Sequence, residues 1–195
     1  MGNDHEKYRR LIERCKALPP MPTAVVHPCD ESSLRGAIDA AKAGLIAPIL
    51  VGPAARIREV AAKAGLDISG YPIVDAAFSQ DSAEKAVAEV RSGRAQALMK
   101  GSLHTDELMG AVVRRDTGLR TARRISHCFI MDVPGHPDPL IITDAAINIA
   151  PTLTDKIDIV QNAIDLMHDL GAPDVRVAIL SPMDTVNPDV PSTID

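Results

Sequence analysis

From Thr23 onward apolar and polar positions fall into blocks that read as strands followed by amphipathic helices. Thr23-Ala24-Val25-Val26 is a short β-type run, stopped by His27-Pro28 and a polar cluster. Asp30 or Ser32 can cap a helix that carries Leu34, Ile38 and Ala41 and ends at Gly44. Ala47 to Val51 is a second strand. Pro53 is expected at the first position of a helix that keeps Ile57, Val60, Ala61 and Ala64 on one face before Gly65. Ile73-Val74 is a third, short strand. Ser79 or Asp81 opens a helix with Ala83, Val87 and Val90, closed by Gly93. Ala97-Leu98-Met99 is a fourth strand and runs into Lys100-Gly101-Ser102. Thr105 is the expected cap of the next helix, with Asp106 and Glu107 in its first turn and Leu108, Val112 and Val113 behind.

The period then changes. His127 to Val133 and Leu140 to Thr143 read as two strands joined by a turn rich in Pro and Gly. Thr154 to Leu170 is a helix with Ile157, Val160, Ile164 and Met167 on one face, and Val175 to Leu180 reads as a last strand. Past Leu180 three prolines, Pro182, Pro188 and Pro191, forbid a regular helix, yet Ser192 to Asp195 has the form of a helix start. Four strand–helix alternations imply right-handed crossovers and a three-layer α/β fold: a mostly parallel sheet with helices on both faces. The expectation is that the chain stops within an element, with residues 150–195 in need of a covering partner.

Composition narrows the function. The chain has 195 residues, 46% apolar and 24% charged, with a formal net charge of −5. That balance argues for a folded chain and against general nucleic-acid binding. Only Tyr8, Tyr71, Phe78 and Phe129 are aromatic, against 27 alanines, so a stacking platform for bases is not expected. Cys15, Cys29 and Cys128 form no C-x-x-C pair and read as reduced thiols, which suits a cytoplasmic protein. No run reaches the roughly 18 apolar residues of a membrane span. The stretch from Met1 to Arg10 is polar and mixed in charge, unlike a signal peptide.

In open α/β sheets ligands bind beyond the carboxyl ends of the strands, and three such exits carry chemistry: Lys100 to Thr105, Thr143 to Asn148, and Ser181 with Asp184. At Lys100-Gly101-Ser102-Leu103-His104-Thr105, a cation, hydroxyls, a close-approach glycine and a helix N-terminus make the parts of an anion cradle; the spacing alone favours a plain strand-to-helix turn with a Ser/Thr cap. The exit at Thr143-Asp144 to Asn148 places a carboxylate where it meets a ligand or caps the following turn. Arg114, Arg115, Arg120, Arg123 and Arg124, opposed by Asp116 alone, give +4 within eleven residues, a candidate polyphosphate clamp or a solvated face. His104, His127 and His136 lack metal-ligand spacing.

These segments resemble the phosphate acetyltransferase / phosphate butyryltransferase family. The likeness rests on Ala97 to Gly101, His104 to Leu108, Gly118 to Thr121, Ser126-His127, the run Ile142-Thr143-Asp144-Ala145-Ala146-Ile147-Asn148-Ile149-Ala150-Pro151, and Gln161 to Ala163. Val186 to Pro188 and Pro191 to Thr193 also fit, while Pro182 and Asp184 stand where Ala and Glu are expected. The resemblance implies transfer of an acyl group between coenzyme A and inorganic phosphate, giving an acyl phosphate. It implies no cofactor beyond coenzyme A as substrate, no metal, and a homodimer. It also implies two α/β domains of the isocitrate/isopropylmalate dehydrogenase type, here residues 1–150 and the start of the second at 151–195. Phosphate or coenzyme A contacts then fall on Lys100, Gly101, Ser102, His104 and Thr105, with Arg114 or Arg115 as neighbouring cation and Asp144 and Asn148 shaping the cleft. Relatives continue past the equivalent of Asp195, and that return carries the base expected to deprotonate the coenzyme A thiol, so no catalytic residue is assigned here. Two other readings are an inactive coenzyme A/phosphate-binding protein and a decarboxylating dehydrogenase of the same fold, the latter disfavoured because no carboxylate set for a divalent metal is visible.

Overall fold

Ala24, Val25 and Val26 are wholly buried, which for three consecutive residues requires a strand covered on both faces. In the computed structural model they belong to β1 (Met21–Val26), the inner strand of a four-stranded sheet. The structure describes residues 5–181 and 183–194; Met1 to Asp4, Pro182 and Asp195, which figure in the sequence reading, lie outside the described residues. β2 (Ile46–Gly52), β3 (Ile73–Asp75) and β4 (Ala97–Lys100) complete the sheet in the order β3-β2-β1-β4, every pair parallel. The α/β expectation with a parallel sheet is met.

Packing divides the chain into two compact units, Ile12–Arg120 and Met1–Leu11 with Thr121–Asp195. Within Ile12–Arg120, the sheet's two faces carry separate cores. Val25, Leu50, Leu34, Ile38 and Ile57 pack with α2 (Glu31–Lys42) and α3 (Ala54–Ala64). Ala24, Val26, Val51, Ala83, Val87, Leu108 and Ala111 pack with α4 (Ser79–Arg91) and α5 (Thr105–Val112). The abundance of alanine is used here: small side chains let helices lie close on the strands.

Capping follows the residue types with two corrections. Asp30 caps α2, accepting the Ser33 N–H at 2.7 Å. Pro53 is the N-cap of α3 rather than its first residue, and Thr105 is the first residue of α5 rather than its cap, a place taken by His104. The polar N-terminal stretch also hides a helix, α1 (Glu6–Lys16), none of whose residues is buried.

In the other unit β5 (Phe129–Met131) and β6 (Leu140–Ile142) pair antiparallel, Ile130 opposite Ile141, both shorter than expected. Lys7 Nζ binds the Asp132 carboxylate at 2.8 Å and the Val133 carbonyl at 2.9 Å. α6 (Leu153–Asp169) starts from a Thr152/Asp155 capping box. Its buried positions are Ile159 and Ala163, whereas Ile157 of the expected apolar face is 62% exposed. The inner face is the one that lets Asn162 reach the chain at Arg124 and Ser126. The strand expected at Val175 to Leu180 does not form. A strand needs a neighbour for its backbone groups, the segment pairs with none among the described residues, and Leu180 is 89% exposed. A single 3₁₀ turn, Pro191–Thr193, stands where a helix start is read.

Gly101 and Gly110 make opposite demands on the fold. A Cβ on Gly101 would lie under 3.0 Å from the carbonyl oxygens of Val26 and His27, backbone atoms that cannot turn aside, whereas one on Gly110 within α5 meets nothing within 4 Å. Gly101→Ala is expected to cost at least about 2 kcal/mol of stability. Gly110→Ala should add about 0.5–1 kcal/mol. Urea unfolding of both variants checks the pair, and equal effects of one sign would refute the assignment.

Candidate functional site

β1 and β4 end side by side, with Val26 in register with Lys100, so the chain leaves the sheet at His27 and Gly101 together. Gly101 N–H donates to Val26 O at 2.8 Å. Ser102 donates twice to His27 O, from its N–H at 3.0 Å and from its hydroxyl at 2.8 Å, and the same hydroxyl accepts the Cys29 N–H at 3.2 Å. The close approach that Gly101 permits is therefore to the chain's own backbone, and the Ser102 hydroxyl is occupied in tying the β1–α2 turn to the β4–α5 turn. Lys100, His104 and Thr105 have exposed residues at this exit. Lys100 Nζ reaches the Gly101 carbonyl at 3.3 Å.

The N-terminus of α5 already has its anion. Glu107 accepts the His104 N–H at 2.9 Å and the Ser79 hydroxyl at 2.5 Å, and these hydrogen bonds hold its carboxyl below the usual carboxylate range. His27 is a site residue that the sequence reading passes over as a strand stop. Its backbone is left-handed, with φ 55°, and its Nδ1 lies 3.0 Å from the hydroxyl of buried Ser82. Burial lowers its pKa, against the opposing field of Glu107. The apolar strand ending in His-Pro is the signal that could have flagged it. Burial pushes the Cys29 thiol up, which disfavours the reactive thiolate, and Cys15, Cys29 and Cys128 are all free.

Three of the arginines are engaged by carboxylates of this chain. Arg114 pairs with Glu84 at 2.7 Å, Arg123 with Asp165 at 2.5 Å and Arg124 with Asp155 at 3.2 Å. Arg115 is exposed and takes no ion pair among the described residues. Arg114 and Arg115 belong to one compact unit and Arg123 and Arg124 to the other. Among the described residues no three His, Cys, Asp or Glu converge as a metal-ligand set, and no helix is long and apolar enough to cross a membrane.

Asp144 and Asn148 are brought together, and they build a loop. The Asp144 carboxylate accepts the N–H groups of His127, Ala146, Ile147 and Asn148 at 2.9–3.2 Å, and the Asn148 side-chain amide as well. Asn148 spends its remaining capacity on the Ile125 carbonyl at 3.0 Å and on Arg124 Nε at 2.6 Å. The turn-capping role read for Asp144 is the one these bonds describe. His127 Nδ1 and Thr143 Oγ1, beside this loop, are buried without a partner among the described residues.

The carboxyl-end turns of this parallel sheet are cross-tied and carry a lysine and two histidines, at the end of the strands where open α/β sheets take ligands. A profile described as phosphate acetyl/butaryl transferase matches residues 77–195. A phosphate acetyltransferase of Rhizobium meliloti is 60% identical over 189 residues, which is 97% of this chain and 60% of that protein. A phosphate butyryltransferase of Clostridium beijerinckii is 35% identical over 97% of this chain and 63% of its own length. The crystal structure of a phosphotransacetylase from Streptococcus pyogenes shares the fold, with a TM-score of 0.75 at 19% identity, over 92% of this chain and 65% of that one. The chain belongs to the phosphate acetyl/butaryl transferase family. It spans roughly three fifths of the length of the two curated relatives named.

The loop at 144–148 gives a pH-linked expectation. Burial raises the Asp144 pKa, but the hydrogen bonds from Asn148, Ala146, Ile147 and His127 outweigh it and hold the carboxyl below the usual range. A depressed folded-state pKa contributes stability that is present above the unfolded value of about 3.9 and is lost as pH falls toward the folded one. Asp144→Ala should therefore destabilise by about 2 kcal/mol or more near neutral pH. The gap to wild type in thermal unfolding should narrow below a pH of about 4. A gap that is flat across pH 3–7 would contradict this role.

Proposed function

We propose that the chain forms part of a phosphate acyltransferase, which moves an acyl group reversibly between coenzyme A and inorganic phosphate to give an acyl phosphate. The observation that carries the reading is the 60% identity over 97% of the chain with a phosphate acetyltransferase. The parallel sheet with its charged carboxyl-end turns supports it, since that is where such a fold takes anionic ligands. Within this reading the direct contacts are Lys100, His104 and Thr105, whose residues are exposed at the exit of β4. Gly101 and Ser102 shape the turn that presents them, and Asp144 and Asn148 build the second loop.

The neighbouring cation is Arg115, which takes no ion pair among the described residues, or Arg114, whose exposed pair with Glu84 a phosphate can displace. Coenzyme A enters as substrate, with no resident cofactor or metal. A cytoplasmic homodimer belongs to the same reading, as do a first domain at 1–150, the start of a second at 151–195, and kinship with isocitrate/isopropylmalate dehydrogenases. The inactive-binder and dehydrogenase alternatives have no observation in their favour.

The test is coenzyme A release from acetyl-CoA and butyryl-CoA by the complete gene product. Release that depends on inorganic phosphate is expected, and Lys100→Met should lower kcat/KM about tenfold or more through loss of a charge-assisted contact. No release from either thioester would refute the reading.

A further inference from the structure

His27 is held by an arrangement that costs stability and leaves one ring nitrogen unused. Its φ of 55° is a strained backbone for a residue with a Cβ. On both sides the neighbouring strands offer glycine. A Cβ on Gly52 would lie 3.4 Å from His27 Cα and 3.7 Å from its Nδ1, and a Cβ on Gly101 would run into the His27 carbonyl. The ring is anchored on Ser82, which is 0% exposed.

That anchor sets the tautomer. The Ser82 hydroxyl donates its single proton to the Phe78 carbonyl at 2.7 Å, so at 3.0 Å from the ring it accepts, and Nδ1 is the nitrogen that carries hydrogen. In the neutral imidazole the lone pair then sits on Nε2. That nitrogen takes no hydrogen bond among the described residues and is not among the buried polar atoms left unpaired, so solvent reaches it. Burial, acting against Glu107, lowers the pKa of the ring and so favours its neutral form.

We propose that His27 is a phosphate-contacting residue: its Nε2, aimed by Ser82, accepts a hydrogen bond from the protonated oxygen of hydrogen phosphate at the carboxyl end of the sheet. The choice of ligand rests on the acyl-transfer reading above. Lys100, in register with the residue before His27, ends the neighbouring strand with a cation. An acceptor nitrogen and a cation together suit an oxyanion that still bears a proton. The amide N–H groups of coenzyme A are the rival donors.

His27→Asn tests the proposal without unfolding the site, because Asn tolerates the left-handed region and its amide can still donate to Ser82. In the complete gene product KM for phosphate should rise about tenfold, with KM for acyl-CoA changed less than about twofold. An unchanged phosphate KM, or a rise confined to acyl-CoA, overturns it. A second readout does not need turnover: histidine ¹⁵N NMR of this 195-residue chain. It should show His27 Nε2 unprotonated and shifted by inorganic phosphate, but not by sulfate, which has the same shape and no proton. Equal shifts with both anions, or none with either, overturn the proposal. Ser82→Ala should let the ring populate the Nε2–H form and weaken the phosphate shift; an unaltered tautomer removes Ser82 as the positioning residue. A phosphate shift without any coenzyme A release would sustain the contact while refuting acyl transfer.

Discussion

The exit of β1 and β4 works only because Gly101 has no side chain. The Val26 and His27 carbonyls come so near that any Cβ would meet them, and in that space the Gly101 N–H and both donors of Ser102 find their acceptors. Two turns are thereby cross-linked by backbone bonds rather than by long side chains, which would each lose rotamer freedom. The fixed turns set where Lys100, His104 and the His27 ring stand. A site on these turns inherits the rigidity of the buried central strand, with Ala24 to Val26 packed on both faces.

How far this was legible in the sequence depends on whether the deciding partners are local. The alternation from Thr23 to Val112 reads correctly because buried parallel strands produce short apolar runs, and helices between them produce a stripe with its caps a few residues away. Asp30 capping Ser33 is such a case. Segments whose fate is decided at a distance read poorly. Val175 to Leu180 has strand composition, but composition does not supply a neighbouring strand. α6 shows two apolar stripes, and the choice of Ile159 and Ala163 over Ile157 follows Asn162, whose partners lie near residues 124–126. α1 is hidden by its charge, although Tyr8, Leu11, Ile12 and Cys15 have helical spacing.

The same distinction applies to the site. Thr143 to Asn148 stands out in the sequence, and its internal bonds explain why those residue types occur together: one carboxylate gathers successive N–H groups, and one amide closes the loop. His27 does not stand out, because its partners, Ser82 and the flanking glycines, are spread over three other segments. A strained, anchored side chain is visible only once the fold brings its supports together.

Charge shows the limit of composition most plainly. Five arginines in eleven residues suggest an open cationic surface, yet Glu84, Asp155 and Asp165 neutralise three of them from elsewhere in the chain. Those pairs do not remove the arginines from chemistry. Arg114 and Glu84 are 40% and 42% exposed, and an exposed pair of this kind is worth roughly 0–1 kcal/mol. A phosphate dianion offering a bidentate contact competes well against such a partner. Arg124 is held differently, since its Nε bonds Asn148 and its backbone N–H bonds Asp158, so swinging it away would also loosen the Asp144 loop. A basic cluster that looks uniform in sequence is thus two kinds of residue: cations that a ligand can recruit at little cost, and a cation that is part of the scaffold.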